Sequence, residues 1–167
     1  MGGALTGPGQ DEAAAVVTGL TAIGATVAVA ESCTGGGLLA CLTSVPGASA
    51  CVWGGTVVYA DEAKSILLGV APEVVREYGA VSAAVTRELA SRVRAVAGTT
   101  FGVAVTGWAG PAHGDEPVGT VYIAVAQEGA CSCERAVYDG DRARVRAQAV
   151  TAAIAALLAV LEETPTW

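Results

Sequence analysis

Glu31-Ser32-Cys33-Thr34 sets a hydroxyl beside a thiol, Tyr59 adds a phenol, and Lys64 adds the only lysine amine in the chain. Such a set suits acyl transfer, in which an alcohol or thiolate attacks a carbonyl carbon while a neighbouring base takes the proton. Lysine can act as that base because its amine can give up a proton, whereas an arginine guanidinium cannot. Each residue also has a plain structural reading. Ser32 could cap a helix, Tyr59 could be a core aromatic with its hydroxyl at the rim, and Lys64 could be a solvated surface charge. Cys33 is a rival nucleophile with no evident imidazole to activate it. A serine triad would have to recruit His113, the sole histidine, which falls in a loop. Spacing alone leaves these choices open.

Reactive groups need elements to hold them. Thr26, Val27 and Val29 alternate as in a strand that stops at Glu31-Ser32, and Thr34-Gly35-Gly36-Gly37 precedes the apolar run from Leu38 to Leu42. This strand-to-helix corner predicts a helix over 37–44 whose first N–H groups are free to hold an anion or a developing oxyanion. Residues 52–59 read as a second strand running into a helix that Gly69 closes. Upstream, residues 1–10 read as a glycine-rich leader and 11–20 as a helix with acids in its first turn. Downstream, Pro72 starts a helical turn through Tyr78. Ser82 is placed to cap a helix through Val96, with Val85, Leu89, Val93 and Val96 on one face. Residues 101–106 form a buried strand and 107–117 a Gly/Pro loop. A hairpin follows, with strands at 118–126 and 131–138, and a last helix runs from Asp141 to about Glu163. The expected fold is one three-layer α/β/α domain over 11–167 with a mixed sheet.

Composition narrows the function. A chain of 167 residues that is 53% hydrophobic and 15% charged is globular, and a net charge of −7 counts against binding a nucleic-acid backbone. The apolar segment 13–30 follows Asp11-Glu12 and is broken by Gly19 and Gly24, so it fits neither a signal peptide nor a spanning helix. The expectation is a cytoplasmic protein with no membrane partner. Five cysteines without a C-x-x-C pair give no disulfide framework, and one histidine gives no zinc site. Phosphate-loop, dinucleotide and G-x-S-x-G signatures are all missing, so no cofactor is expected. Short edge strands and high apolar content favour a homo-oligomer.

A run of motifs, taken in order, is more specific. Glu31-Ser32-Cys33-Thr34-Gly35-Gly36, Pro46-Gly47-Ala48-Ser49, Tyr59 with Glu62-Ala63-Lys64, Leu68-Gly69-Val70 and Gly79-Ala80-Val81-Ser82 belong to one pattern. Val105-Thr106-Gly107-Trp108-Ala109-Gly110-Pro111, Pro117-Val118-Gly119-Thr120-Val121 and Gly140-Asp141-Arg142 continue it. Together they resemble the CinA C-terminal domain, the nicotinamide-nucleotide amidase family, over roughly residues 11–163 and in a stand-alone form. The resemblance implies hydrolysis of the carboxamide of nicotinamide mononucleotide to nicotinate mononucleotide and ammonia, with a small pyridine nucleotide as the only partner and no metal. It implies Ser32 as nucleophile, Lys64 as base and Tyr59 as assistant, with Ser49 as second candidate hydroxyl. It further implies substrate contacts from Glu31 and from the N–H groups of Thr34, Gly35 and Gly36. Thr106 and the loop from Gly107 to Gly110, with Gly107, Ala109 and Gly110 foremost, would line the pocket. Arg142 would meet the phosphate or else form a salt bridge capping its own helix. Asp61, Ala60 and Ala48 depart from the family pattern, and Glu116 stands where a lysine is common, removing a positive charge near the nucleotide site. The alternatives are a regulatory domain of the competence- or damage-inducible type that binds a pyridine nucleotide without turnover, and a cysteine hydrolase acting through Cys33.

Overall fold

Large and small side chains alternate along Val27–Glu31 (β1), Phe101–Gly107 (β3) and Thr120–Gln127 (β4). Period two sends them to opposite faces of the sheet. Val27, Val29, Phe101, Val103, Val105, Val121, Ile123 and Val125 enter one core, and Ala28, Ala30, Ala104, Ala124 and Ala126 enter the other. In this computed structural model, which describes residues 9–111 and 116–163, Val52–Val57 (β2) and Ala130–Val137 (β5) complete a sheet of order β2-β1-β3-β4-β5. The leader reading for residues 1–10 is corrected at its end, because Gln10 already opens the first helix; residues 1–8 and the loop histidine His113 fall outside the described residues.

β2, β1 and β3 are parallel, whereas β4 and β5 are antiparallel to their neighbours. Parallel neighbours need crossovers. Gly37–Thr43 (α2) and a single 3-10 turn, Ala48–Ala50, carry the chain from β1 to β2, while Asp61–Leu68 (α3), Pro72–Tyr78 (α4) and Ala83–Ala97 (α5) carry it from β2 to β3. Gln10–Ala22 (α1), α2 and Arg142–Glu163 (α6) cover the large-residue face. α1 does so with Ala13, Val16, Val17 and Leu20, the spacing of one helical stripe. α5 covers the small-residue face with α3 and α4 beside it. It can lie close because that face is alanine and glycine: a Cβ on Gly102 would stand 2.1 Å from the Ala90 carbonyl oxygen.

The result is the expected α/β/α sandwich with a mixed sheet. Ser82 caps α5 as its sequence predicts, accepting the Val85 N–H at 3.3 Å. Three details differ. Pro72 to Tyr78 is a helix in its own right, β2 ends at Val57 so that Tyr59 lies beyond the strand, and Val96 on the last turn of α5 is exposed. By length and composition α6 could cross a bilayer, but here it lies along the sheet and buries Val145, Ala149, Ala153, Ile154 and Leu157.

Candidate active site

Because β1, β2 and β3 run parallel, their carboxyl ends share one rim, the place where open α/β sheets receive ligands. A cavity of about 290 Å³ opens there, at the small end of ligand sites. Ser32 and Cys33 reach it from the end of β1, Tyr59, Asp61 and Lys64 from beyond β2, and Gly107, Trp108, Ala109, Gly110 and Pro111 from the end of β3. Ala80, Val81 and Arg142 close the remaining sides. Ser32, Tyr59, Lys64, Gly107, Ala109, Gly110 and Arg142, all singled out in the sequence, are thus brought together.

Lys64 is only 1% exposed. The first turns of α3 fold back over the end of β2, so Nζ donates to the Val58 carbonyl at 3.1 Å and meets Asp61 Oδ1 at 3.4 Å. Val58 is itself tied to β1, its N–H donating to the Glu31 carbonyl at 2.8 Å. Ser32 is buried too, and its N–H donates to the Val105 carbonyl at 3.0 Å, which fixes it against β3. Ser32 and Lys64 face the same cavity, and among the described residues no hydrogen bond joins them.

Cys33 is a poor rival. Burial pushes its thiol up to about 11, even though its own N–H and the nearby Arg146 and Arg142 guanidinium groups pull the other way. At neutral pH the thiol therefore keeps its proton, and the thiolate needed for attack is scarce.

Tyr59 and Arg142 meet at the mouth. Arg142 Nη2 lies 2.7 Å from the Tyr59 hydroxyl, and Nη1 donates to the Gly110 carbonyl, so one guanidinium links α6, the segment after β2 and the loop after β3. The salt-bridge alternative for Arg142 is not realised. Asp141 caps α6 by accepting the Arg144 N–H at 2.8 Å, and Arg142 has no carboxylate partner among the described residues.

Five of the expected substrate contacts, and the second candidate hydroxyl, are placed elsewhere. Glu31 follows Val27 and Val29 on the face that carries α2, and its buried carboxylate accepts N–H groups from Gly36 at 3.1 Å, Leu38 at 3.0 Å and Leu39 at 2.8 Å. The helix start expected to hold an external anion therefore already holds an internal one. The Gly35 N–H is also taken, by the Ser32 carbonyl at 3.1 Å, and Thr34 is buried behind the turn. Neither Thr34, Gly35 nor Gly36 lines the cavity. Thr106 shares its face with Gly102 and Ala104, so it points to α5 and pairs with the Thr86 hydroxyl at 2.8 Å. Ser49 precedes β2, whereas Lys64 follows it. Six residues of strand, on the order of 20 Å, separate the two ends, and Ser49 borders a different groove with Pro46 and Trp53.

Sequence reasoning did not single out Trp108 within the Gly107 to Gly110 loop, and it missed Asp61, Ala80, Val81 and Pro111 as residues that line the cavity. Trp108 stood inside the quoted loop motif, a large aromatic flanked by Gly107 and Ala109 at a strand end, and that was the available signal. Arg146 lies four residues after Arg142, hence on the same face of α6. Its Nη2 donates to the Thr34 carbonyl at 3.0 Å. Ala80 and Val81 carry no chemical signal of their own.

A mixed α/β/α domain with a small cavity at the parallel strand ends, holding a buried serine and a buried lysine, defines the class. The family model for the CinA C-terminal domain matches residues 10–161, and the chain belongs to that family. It is 49% identical over 137 residues to a CinA-like protein of Myxococcus xanthus, covering 80% of this chain and 32% of the relative. A CinA-like protein of Geobacter sp. is 50% identical over 125 residues, with 74% and 30% covered. The chain thus spans about a third of the length of the curated relatives it matches. Among solved structures, the competence damage-inducible protein A (ComA) of Klebsiella pneumoniae superposes with a TM-score of 0.92 at 37% identity, covering 95% of this chain and 100% of that one. The competence/damage inducible protein CihA of Agrobacterium tumefaciens gives 0.90 at 34% identity, with 96% and 99% covered.

Proposed function

We propose that the protein is a nicotinamide-nucleotide amidohydrolase that releases ammonia from nicotinamide mononucleotide through a serine–lysine mechanism. The observation that carries this reading is that Ser32 and a lysine buried to 1% exposure line one cavity. A buried lysine on a flexible stem suits a base that meets its alcohol when substrate is bound.

Ser32 Oγ attacks the carboxamide carbon as its proton passes to Lys64 Nζ. The tetrahedral intermediate collapses, the C–N bond breaks, and the proton held by Lys64 leaves with ammonia. Water then attacks the resulting nicotinoyl ester, again with Lys64 taking its proton, and Ser32 is restored as the acid departs. Trp108 and Tyr59 supply aromatic surface for a pyridine ring. Arg142, without a carboxylate partner among the described residues, supplies positive charge at the mouth for a phosphate. The cytoplasm is the compartment in which such a nucleotide is met.

A second reading, binding of a pyridine nucleotide without turnover, draws on the fact that Lys64 donates to Val58 and Asp61 rather than to Ser32. Purified protein incubated with nicotinamide mononucleotide decides between them. The amidase reading expects ammonia and nicotinate mononucleotide in equal amounts from the wild type and none from Ser32→Ala. Calorimetric binding with no ammonia at high enzyme concentration would establish the second reading instead.

A further inference from the structure

We propose that Arg146 is a positioning residue of this site, whose guanidinium polarises the Cys33 N–H through two peptide groups in series so that this N–H receives the substrate's oxyanion. The inference rests on the amidase reading. Arg146 sits one turn after Arg142 on α6 and reaches the back of the turn that follows β1, where Nη2 donates to the Thr34 carbonyl at 3.0 Å. That carbonyl shares a peptide group with the Gly35 N–H, which donates to the Ser32 carbonyl at 3.1 Å. The Ser32 carbonyl in turn shares a peptide group with the Cys33 N–H. Hydrogen bonds in series polarise one another, so a cation at one end strengthens the donor at the other.

Most of the other amides of the turn are committed. Ser32 donates to Val105, Gly36 to Glu31 and Gly37 to Thr34. Among the described residues the Cys33 and Thr34 amides go to no carbonyl or carboxylate of another residue, the Cys33 N–H lying against its own thiol. Cys33 borders the cavity and follows the proposed nucleophile directly, the position from which acyl-transfer serines draw an oxyanion donor.

Two observations single out Arg146. Gly35 has φ +62°, and a Cβ there would stand 3.1 Å from Arg146 Nη2, so the bare glycine admits the guanidinium. Arg146 also has no salt-bridge partner among the described residues, and its Nε is buried without a hydrogen bond. A half-buried cation left without a counter-charge is costly, which fits one held for its field. That field reaches the turn, where it opposes the effect of burial on the Cys33 thiol.

The test measures kcat and KM for deamidation of nicotinamide mononucleotide by wild type, Arg146→Met and Arg146→Lys, with Tm recorded for each. The expected result is a kcat lowered about tenfold to a hundredfold in Arg146→Met with KM within about twofold, and a smaller loss, about threefold, in Arg146→Lys, which keeps the charge. Should Arg146→Met not fold, Arg146→Gln is read by the same criteria. If neither neutral variant folds, the role is structural and the inference fails. Wild type active beside a neutral variant with unaltered kcat, or with its loss confined to KM, overturns the inference alone. A wild type that releases no ammonia overturns the amidase reading, and this inference with it.

Discussion

Ser32, Lys64 and Cys33 differ in what burial does for them. For Cys33, burial works against chemistry: the thiol stays protonated at neutral pH. Iodoacetamide at pH 7.5, followed by peptide mapping, is expected to leave Cys33 unmodified in the native protein and to modify it after denaturation; Cys33 as the fastest-labelled cysteine would contradict this. The same shift has a stability consequence. The thiol's folded value, about 11, lies above its ordinary 9.0, so the folded state holds the proton more tightly. The associated stability is intact below pH 9 and is lost as pH climbs toward 11. Wild type is therefore expected to lose more stability than Cys33→Ala over that interval, as measured by urea unfolding at each pH. Lys64 is different, because a buried amine whose polar partners among the described residues are one carbonyl and one exposed carboxylate is a costly feature of the fold.

At the scale of elements, the site depends on one corner and one close contact. Glu31 fastens the end of β1 to the start of α2 through three N–H groups, and so shapes the turn that carries Ser32. Glu31→Gln, which replaces a two-oxygen acceptor with one oxygen and an amide, is expected to cost about 2–3 kcal/mol in urea unfolding and to lower kcat. A cost below about 0.5 kcal/mol would mean the cap matters little. Gly102 lets α5 rest on β3. Gly102→Ala is expected to cost about 3 kcal/mol or more, since the added methyl meets the backbone of Ala90, and a neutral effect would show the layers to be loosely packed. Much of this was legible in the chain. The strand-to-helix corner, the Ser82 cap and the order of elements follow from local chemistry. What the corner does with its N–H groups does not, because that depends on strand parity. Parity sends Glu31 toward α2 and Thr106 toward α5, and only the assembled sheet fixes which helix stands on which face.

For the whole molecule, parallel pairing gathers the ends of three strands far apart in sequence and puts a helix from the far end of the chain beside them. That gathering explains why Ser49, near in sequence and alike in chemistry, falls outside the site, while Arg142 and Arg146 fall within reach of it. Membership of the CinA C-terminal domain family follows from the matches in sequence and in structure, whereas the proposed reaction rests on Lys64 acting as base for Ser32. The kcat of Lys64→Met for ammonia release from nicotinamide mononucleotide, measured on protein whose Tm is within about 3 °C of wild type, tests that claim most directly. Methionine fills the same space without the amine, so the fold is expected to persist while kcat falls about a thousandfold or more. A folded Lys64→Met protein that turns over at the wild-type rate would contradict the account.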